Sequence, residues 1–221
     1  MPKKPSGGAA AKSPRRRDPG RTRARLLGAA VKLFSAHGYH GVSVDQIVAA
    51  ACVNKRMVYH YFGSKEELYL AALAEVFGRL ENVELAAVDA DPDAGPEEKL
   101  RRLIAADFEF LDKNPEFVRM LLWGNLELGT NISEHGERLK KDPFEKRFRE
   151  IIGEGVAGGV FRKPHNPDHL LINLIGLCFI YHSNKYSLGA SIGVKLDGEA
   201  ARKDRLAQVT DLVFGGLLAR K

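Results

Sequence analysis

The chain has 221 residues, 44% of them hydrophobic, with 34 Lys/Arg against 28 Asp/Glu and a formal net charge of +6. That length supports one or two domains with a full core. No stretch approaches the ~18 uninterrupted apolar residues of a membrane span, so a membrane partner is excluded and a cytoplasmic location is expected.

The basic charge is concentrated at one end. Residues 1–25, "MPKKPSGGAAAKSPRRRDPGRTRAR", carry nine Lys/Arg and one Asp, a net +8, and the remainder of the chain is −2. This Pro-, Gly-, Ala- and Ser-rich stretch has little to bury, so residues 1–20 are expected to be a disordered basic arm. The triplet Arg15–Arg17 is followed by Asp18-Pro19-Gly20 and not by an apolar segment, which argues against an export signal. Such an arm is either a solvated tail or a source of nonspecific affinity for phosphates.

After the arm, every strong periodicity is helical. Leu26, Ala30, Leu33 and Phe34 lie on one face of a first helix, which Gly38 can end as a left-handed cap. Ser43 with Gln46 three residues on forms a capping box for a short helix over 44–50. "AACVN" makes a tight turn, and Asn54 can cap a third helix that ends at Gly63. Ser64 and Glu67 form another capping box, opening a fourth helix to about residue 80. "DADPDAGPEE" reads as a loop. Further helices are expected over about 97–112, from Pro115, over 143–157, over 167–188 and over 198–220, with "GTNISEHGE" a loop. No repeat and no convincing strand is present. The fold class is all-α: an N-terminal three-helix helix-turn-helix unit over 21–67, then a larger helical bundle over 68–221.

On a wheel of about 100° per residue, Met57, Val58 and Tyr61 share one side of the third helix, and Lys55, Arg56, Tyr59 and His60 share the other. The first side suffices for docking. The second offers two cations, a phenol and an imidazole, a set suited to phosphates and base edges. A short helix, a tight turn and a second short helix make the helix-turn-helix arrangement, whose second helix enters the major groove with its N-terminus leading. The capped starts at Ser43 and Ser64 present free backbone N–H groups to phosphates. Lys65 opposes the dipole of its own helix, and a nearby phosphate would account for it.

At this point "LLGAAVKLFSAHGYHGVSVDQIVAAACVNKRMVYHYFGSKEELYLAAL" (26–73) resembles the TetR family of bacterial transcriptional regulators. Val42 stands where that family usually has Thr, which can remove one hydroxyl contact near the second helix. Cys52 stands where it usually has Gly, which the turn tolerates if φ stays negative. The resemblance implies Lys55, Arg56 and Tyr59 as groove-facing residues and Ser43, His60 and Lys65 as phosphate contacts. It assigns Tyr61 and Phe62 to packing. It also implies a homodimer on a palindromic double-stranded DNA operator and a larger domain that encloses a small-molecule effector of unknown identity.

The residues of that larger domain allow a pocket. "DFEFLDKNPEFVRMLLWGNLEL" supplies Phe108, Met120, Trp123 and Asn125, and "LLINLIGLCFIYHSNKYSL" supplies Phe179 and His182 on one stripe with Leu171 and Ile175. A plain core with satisfied polar groups accounts for the same pattern. The seam between copies is expected on the last two helices, through Leu206, Val209, Thr210, Val213, Phe214 and Leu217, with residues 170–186 as a second surface.

Other patterns carry less. His165 and His169 have metal-ligand spacing, but Pro167 interrupts any helix between them. "GEGVAGG" lacks the Gly-Lys-Ser/Thr of a phosphate loop. Cys52 and Cys178 suit neither a zinc site nor a disulfide framework, and two reduced, buried thiols are expected. No nucleophile arrangement has spacing support, so no enzyme activity, metal or cofactor is expected. The sequence therefore reads as a ligand-responsive transcriptional regulator, with a ligand-independent architectural DNA binder relying on its basic arm as the alternative.

Overall fold

The computed structural model describes residues 19–126, 136–139, 142–164 and 166–219. Residues 1–18, His165 and most of "GTNISEHGE" lie outside the described residues. The elements are α1 (Pro19–His37), α2 (Val44–Ala51), α3 (Arg56–Phe62), α4 (Lys65–Asp89), α5 (Pro96–Lys113), α6 (Pro115–Leu126), α7 (Asp142–Ala157), α8 (Pro167–Ile192) and α9 (Glu199–Leu217), with a 3-10 turn at Gly136–Arg138. The only β pairing among the described residues is an isolated bridge between Phe161 and Leu218.

α1 starts at Pro19, so Pro19 and Gly20 are helical and not part of a disordered arm. Proline suits a first helical turn, where its missing N–H has no partner to lose. The basic residues that follow also find partners. The Arg23 guanidinium lies 5.1 Å from the centre of the Phe62 ring, and Arg25 Nη2 donates to the Cys52 carbonyl at 3.3 Å.

α1 to α3 form the expected head, and the start of α4 closes it. Phe34 is fully buried, with Tyr69 of α4 edge-on at 5.0 Å. Burying a side chain of that size contributes about 1.5–3 kcal/mol, and here the burial ties α4 to the head. α4 runs nine residues past Leu80, because Leu80, Glu84 and Val88 keep a four-residue buried rhythm until the Pro92 loop. The apolar core is continuous from head to bundle.

A second link joins the two parts. α6 lies against α1, with a cleft of about 380 Å³ between Gly28, Val31 and Ser35 on one side and Pro115, Glu116 and Arg119 on the other. At the far end the Trp123 indole packs on Gly38, whose φ of +70° ends α1; a Cβ there would sit 3.0 Å from the ring. Arg138 adds an ion pair to Glu67 of α4 at 2.6 Å.

The glycines of "GEGVAGG" have a packing role. Gly155 lets the Phe161 ring lie against α7, where a Cβ would come within 2.0 Å of it. The chain then clasps its own end: Arg162 N–H donates to the Leu217 carbonyl at 2.9 Å and Ala219 N–H to the Val160 carbonyl at 3.0 Å. That clasp stops α9 at Leu217, short of the expected residue 220, because Leu218 must turn extended to pair.

Candidate nucleic-acid interface

The local geometry of the head begins with its caps. Ser43 Oγ accepts from Gln46 N–H at 3.2 Å and Ser43 N–H donates to Gln46 Oε1 at 2.7 Å, the reciprocal capping box expected for α2. Asn54, the expected cap, lies one residue before Lys55, the N-cap of α3, and its Oδ1 accepts from Arg56 N–H at 2.9 Å. Gly63, at φ +82°, ends α3, and Ser64 Oγ accepts from Glu67 N–H at 3.0 Å to start α4. These caps fix α3 at seven residues between two turns.

α3 presents the two faces expected. Val58 is fully buried and Met57, Tyr61 and Phe62 are half-buried, whereas Lys55, Arg56, Tyr59 and His60 are exposed. Tyr59 is 52% exposed, a large value for an aromatic side chain. Phe62 packs under Arg23, and the rings of His60 and Tyr61 meet edge-on at 4.8 Å.

Three features depart from the expectations. Cys52 is in the left-handed region at φ +49°, the one non-glycine residue with positive φ among those described, and it is exposed, not a buried thiol. The turn therefore keeps the conformation that glycine favours and carries a side chain in spite of it. Val42 is buried, so the side chain at this position packs inside the head and does not face outward. Lys65 Nζ sits 4.2 Å from the centre of the Tyr39 ring, and its helix opens with Glu66 and Glu67, so its charge has local compensation.

Sequence reasoning also missed a partner. Lys55 Nζ lies 3.0 Å from each carboxylate oxygen of Asp45, in the first turn of α2. This hydrogen bond and the attraction behind it raise the Lys55 ammonium above its ordinary range. Asp45 had a sufficient reason to stand where it does, as an acid in a first helical turn. Its contact with a residue ten positions on depends on the α2–α3 turn.

The six residues expected to line a pocket fall in different surroundings. Phe108 of α5 and His182 of α8 meet at 4.6 Å between ring centres, with Tyr181 beside them. Phe179 is half-buried on α8, and Met120 is fully buried on α6. Trp123 packs at the seam between bundle and head on Gly38, and Asn125 is exposed. Burial lowers the His182 imidazole from its ordinary 6.5, and its Nε2 is buried with no hydrogen-bond partner. One turn earlier Cys178 is pushed up to about 12, chiefly by burial and then by Asp107, so it is an inert thiol. Arg205 Nη2 donates to the Leu177 carbonyl at 2.8 Å, and its Nε is buried and unpartnered. The polar interior of the bundle thus centres on α5, α8 and α9.

The expected seam is also redistributed. Val209, Val213, Phe214 and Leu217 are buried within the chain, whereas Ile172, Ile175, Ile180, Tyr186 and Leu212 are exposed on α8 and α9. An apolar groove of about 970 Å³ runs between these helices, with Arg162 and Lys163 at its rim. No helix among the described residues is long and apolar enough to cross a membrane.

The comparisons agree with this geometry. Residues 26–72 match the model of bacterial regulatory proteins of the tetR family, and residues 96–213 match the tetracyclin repressor-like C-terminal domain. The chain is 35% identical over 198 residues to the HTH-type transcriptional repressor NicS of Pseudomonas putida KT2440, covering 89% of this chain and 92% of that one. It is 37% identical over 162 residues to the HTH-type transcriptional repressor SCO4008 of Streptomyces coelicolor, covering 73% and 78%. Among solved structures, AibR in complex with isovaleryl coenzyme A and operator DNA superposes with a TM-score of 0.65 at 21% identity, covering 89% of this chain and 99% of that one. The ketosteroid transcriptional regulator KstR2 of Mycobacterium tuberculosis does so with 0.63 at 22%, covering 90% and 95%. A docked short helix with an exposed cationic face, followed by a helical bundle that matches along its length, makes this chain a member of the TetR family of helix-turn-helix transcriptional regulators.

Proposed function

We propose that the protein is a repressor that binds a palindromic operator as a homodimer and is released by a small-molecule effector. The observation that carries the reading is the exposed face of α3. Lys55, Arg56, Tyr59 and His60 point away from a core that holds Val58, and capped turns fix both ends of the helix. Lys55, Arg56 and Tyr59 would meet base edges; Ser43, His60 and Lys65 would meet phosphates across the groove. The repressor role is supported by relatives named as repressors, and the effector role by AibR, solved with a ligand and operator DNA.

Dimerisation is supported by the exposed apolar residues of α8 and α9, which a second copy would cover in a four-helix arrangement. Release follows as a population shift. An effector that favours the dimer with wrongly spaced heads lowers operator affinity by its differential binding, typically about 1–3 kcal/mol of coupling. α4 and the α6–α1 contact are the two covalent and packed routes by which the bundle can move the head.

The test is selection of bound DNA from a random pool by the full chain, with and without candidate metabolites. A palindromic consensus, lost when Lys55 and Arg56 are both replaced by Ala, is expected. Unchanged sequence preference in the double variant would overturn the assignment of α3.

A further inference from the structure

The Lys55–Asp45 pair poses a problem of its own. It is exposed, with 49% of the Lys55 side chain and 71% of the Asp45 side chain open to solvent. A pair of this kind adds little to stability. It also lies at the N-terminal end of α3, the end that leads into the groove in helix-turn-helix proteins and brings side chains to base edges. A carboxylate held there faces a polyanion, and close to phosphates it would only repel. Against base edges the same group has a use. Cytosine shows a lone N4 amino donor in the major groove, and its paired guanine shows the O6 and N7 acceptors beside it. Adenine also has an amino donor, but it lies between two acceptors, its own N7 and thymine O4, so one of them stays opposite the carboxylate even when an ammonium takes the other.

A paired ammonium and carboxylate, side by side with Nζ 3.0 Å from both oxygens, therefore match a guanine–cytosine pair. The reciprocal cap between Ser43 and Gln46 holds the first turn of α2, and with it Asp45, in register with the start of α3. We propose that Asp45 is a specificity-determining residue, and that Asp45 and Lys55 together read one G·C base pair in each half-site. Lys55 donates to guanine and Asp45 accepts from cytosine N4–H. The proposal rests on the operator-binding reading above and adds to it a residue and a base pair. Because the pair is neutral, it contributes recognition without contributing counterion release.

Two variants of the full chain, Asp45→Asn and Asp45→Ala, separate this from a solvated first-turn acid. Operators carrying each base pair at every half-site position are titrated across a salt series, with melting and helicity measured in parallel to establish that the variants fold. Wild type is expected to prefer G·C at one position by about 5- to 150-fold. Asp45→Ala should lose that preference, Asp45→Asn, which keeps one acceptor oxygen, should weaken it, and both should keep the others. Their nonspecific affinity should rise, and their salt slope should steepen by about 0.9, the contribution of one added phosphate contact from the released Lys55. Asp45→Glu should recover part of the preference. Folded variants that bind more tightly with an unchanged base preference at every position would overturn the proposal, as would folded variants that lose all binding. If wild type itself selects no sequence, the operator reading fails and this proposal with it, a result distinct from a selective wild type with equally selective variants.

Discussion

Replacing Cys52 by glycine tests how the α2–α3 turn is held. The residue sits at φ +49° and ψ +51° with an exposed side chain, and its own N–H donates to the Ala49 carbonyl at 3.1 Å. A side chain in this conformation costs about 1–2 kcal/mol through the close approach of Cβ to the following carbonyl. Glycine removes that cost and adds about 0.5–1 kcal/mol of backbone freedom lost on folding. No packing is lost, and the Arg25 bond goes to the carbonyl, which glycine retains. The net expectation for Cys52→Gly is a gain of about 0–1.5 kcal/mol, or up to about 6 °C in Tm for a chain of this size. Cys52→Val should lose stability, since a β-branched side chain fits the left-handed region worse. Thermal and urea unfolding of the three proteins provides the measurement. A glycine variant less stable than wild type, or a valine variant no less stable, refutes the account of strain at this turn.

The remaining expectations concern the bundle. Gly155→Ala should destabilise by about 1–3 kcal/mol, since the new Cβ meets the Phe161 ring. Gly153→Ala on the same helix meets nothing within 4 Å and should be neutral or stabilise by up to about 1 kcal/mol in urea unfolding. His182 is held below its ordinary 6.5 by burial, so the unfolded chain takes up its proton first. Its contribution is therefore fully present above that value and is lost as pH falls from there through the folded-state value. His182→Phe, which retains an aromatic ring beside Phe108, should flatten this part of the stability–pH profile; an unaltered profile would show that the imidazole is not the group responsible. Ile172→Glu with Leu212→Glu places charge on the exposed face of α8 and α9. Sedimentation should then report monomers and operator affinity should fall; persistent dimers would move the seam elsewhere.

Much of this protein is legible in its sequence, because its determinants are local. Capping residues act within four positions, which is why Ser43–Gln46, Gly63 and Ser64 mark true helix ends and Asn54 falls one residue before the Lys55 cap of α3. Helical periodicity separates buried from exposed faces, which is why Val58 and Tyr59 point in opposite senses. The family resemblance is read on residues 26–73, and a family model matches 26–72 of them. Tertiary structure decided whatever depends on which distant atoms meet. Arg23 and Arg25 become helical and partnered because Phe62 and the Cys52 carbonyl stand beside them. Trp123 belongs to the seam because α6 crosses the end of α1 at Gly38. Val209 and Val213 are core, and Leu212 is surface, because one helix offers several apolar faces and only its neighbours choose which is covered. Asp45 is the sharpest case: alone it is a favourable first-turn acid, and only the α2–α3 turn, held in the left-handed conformation at Cys52, brings it against Lys55.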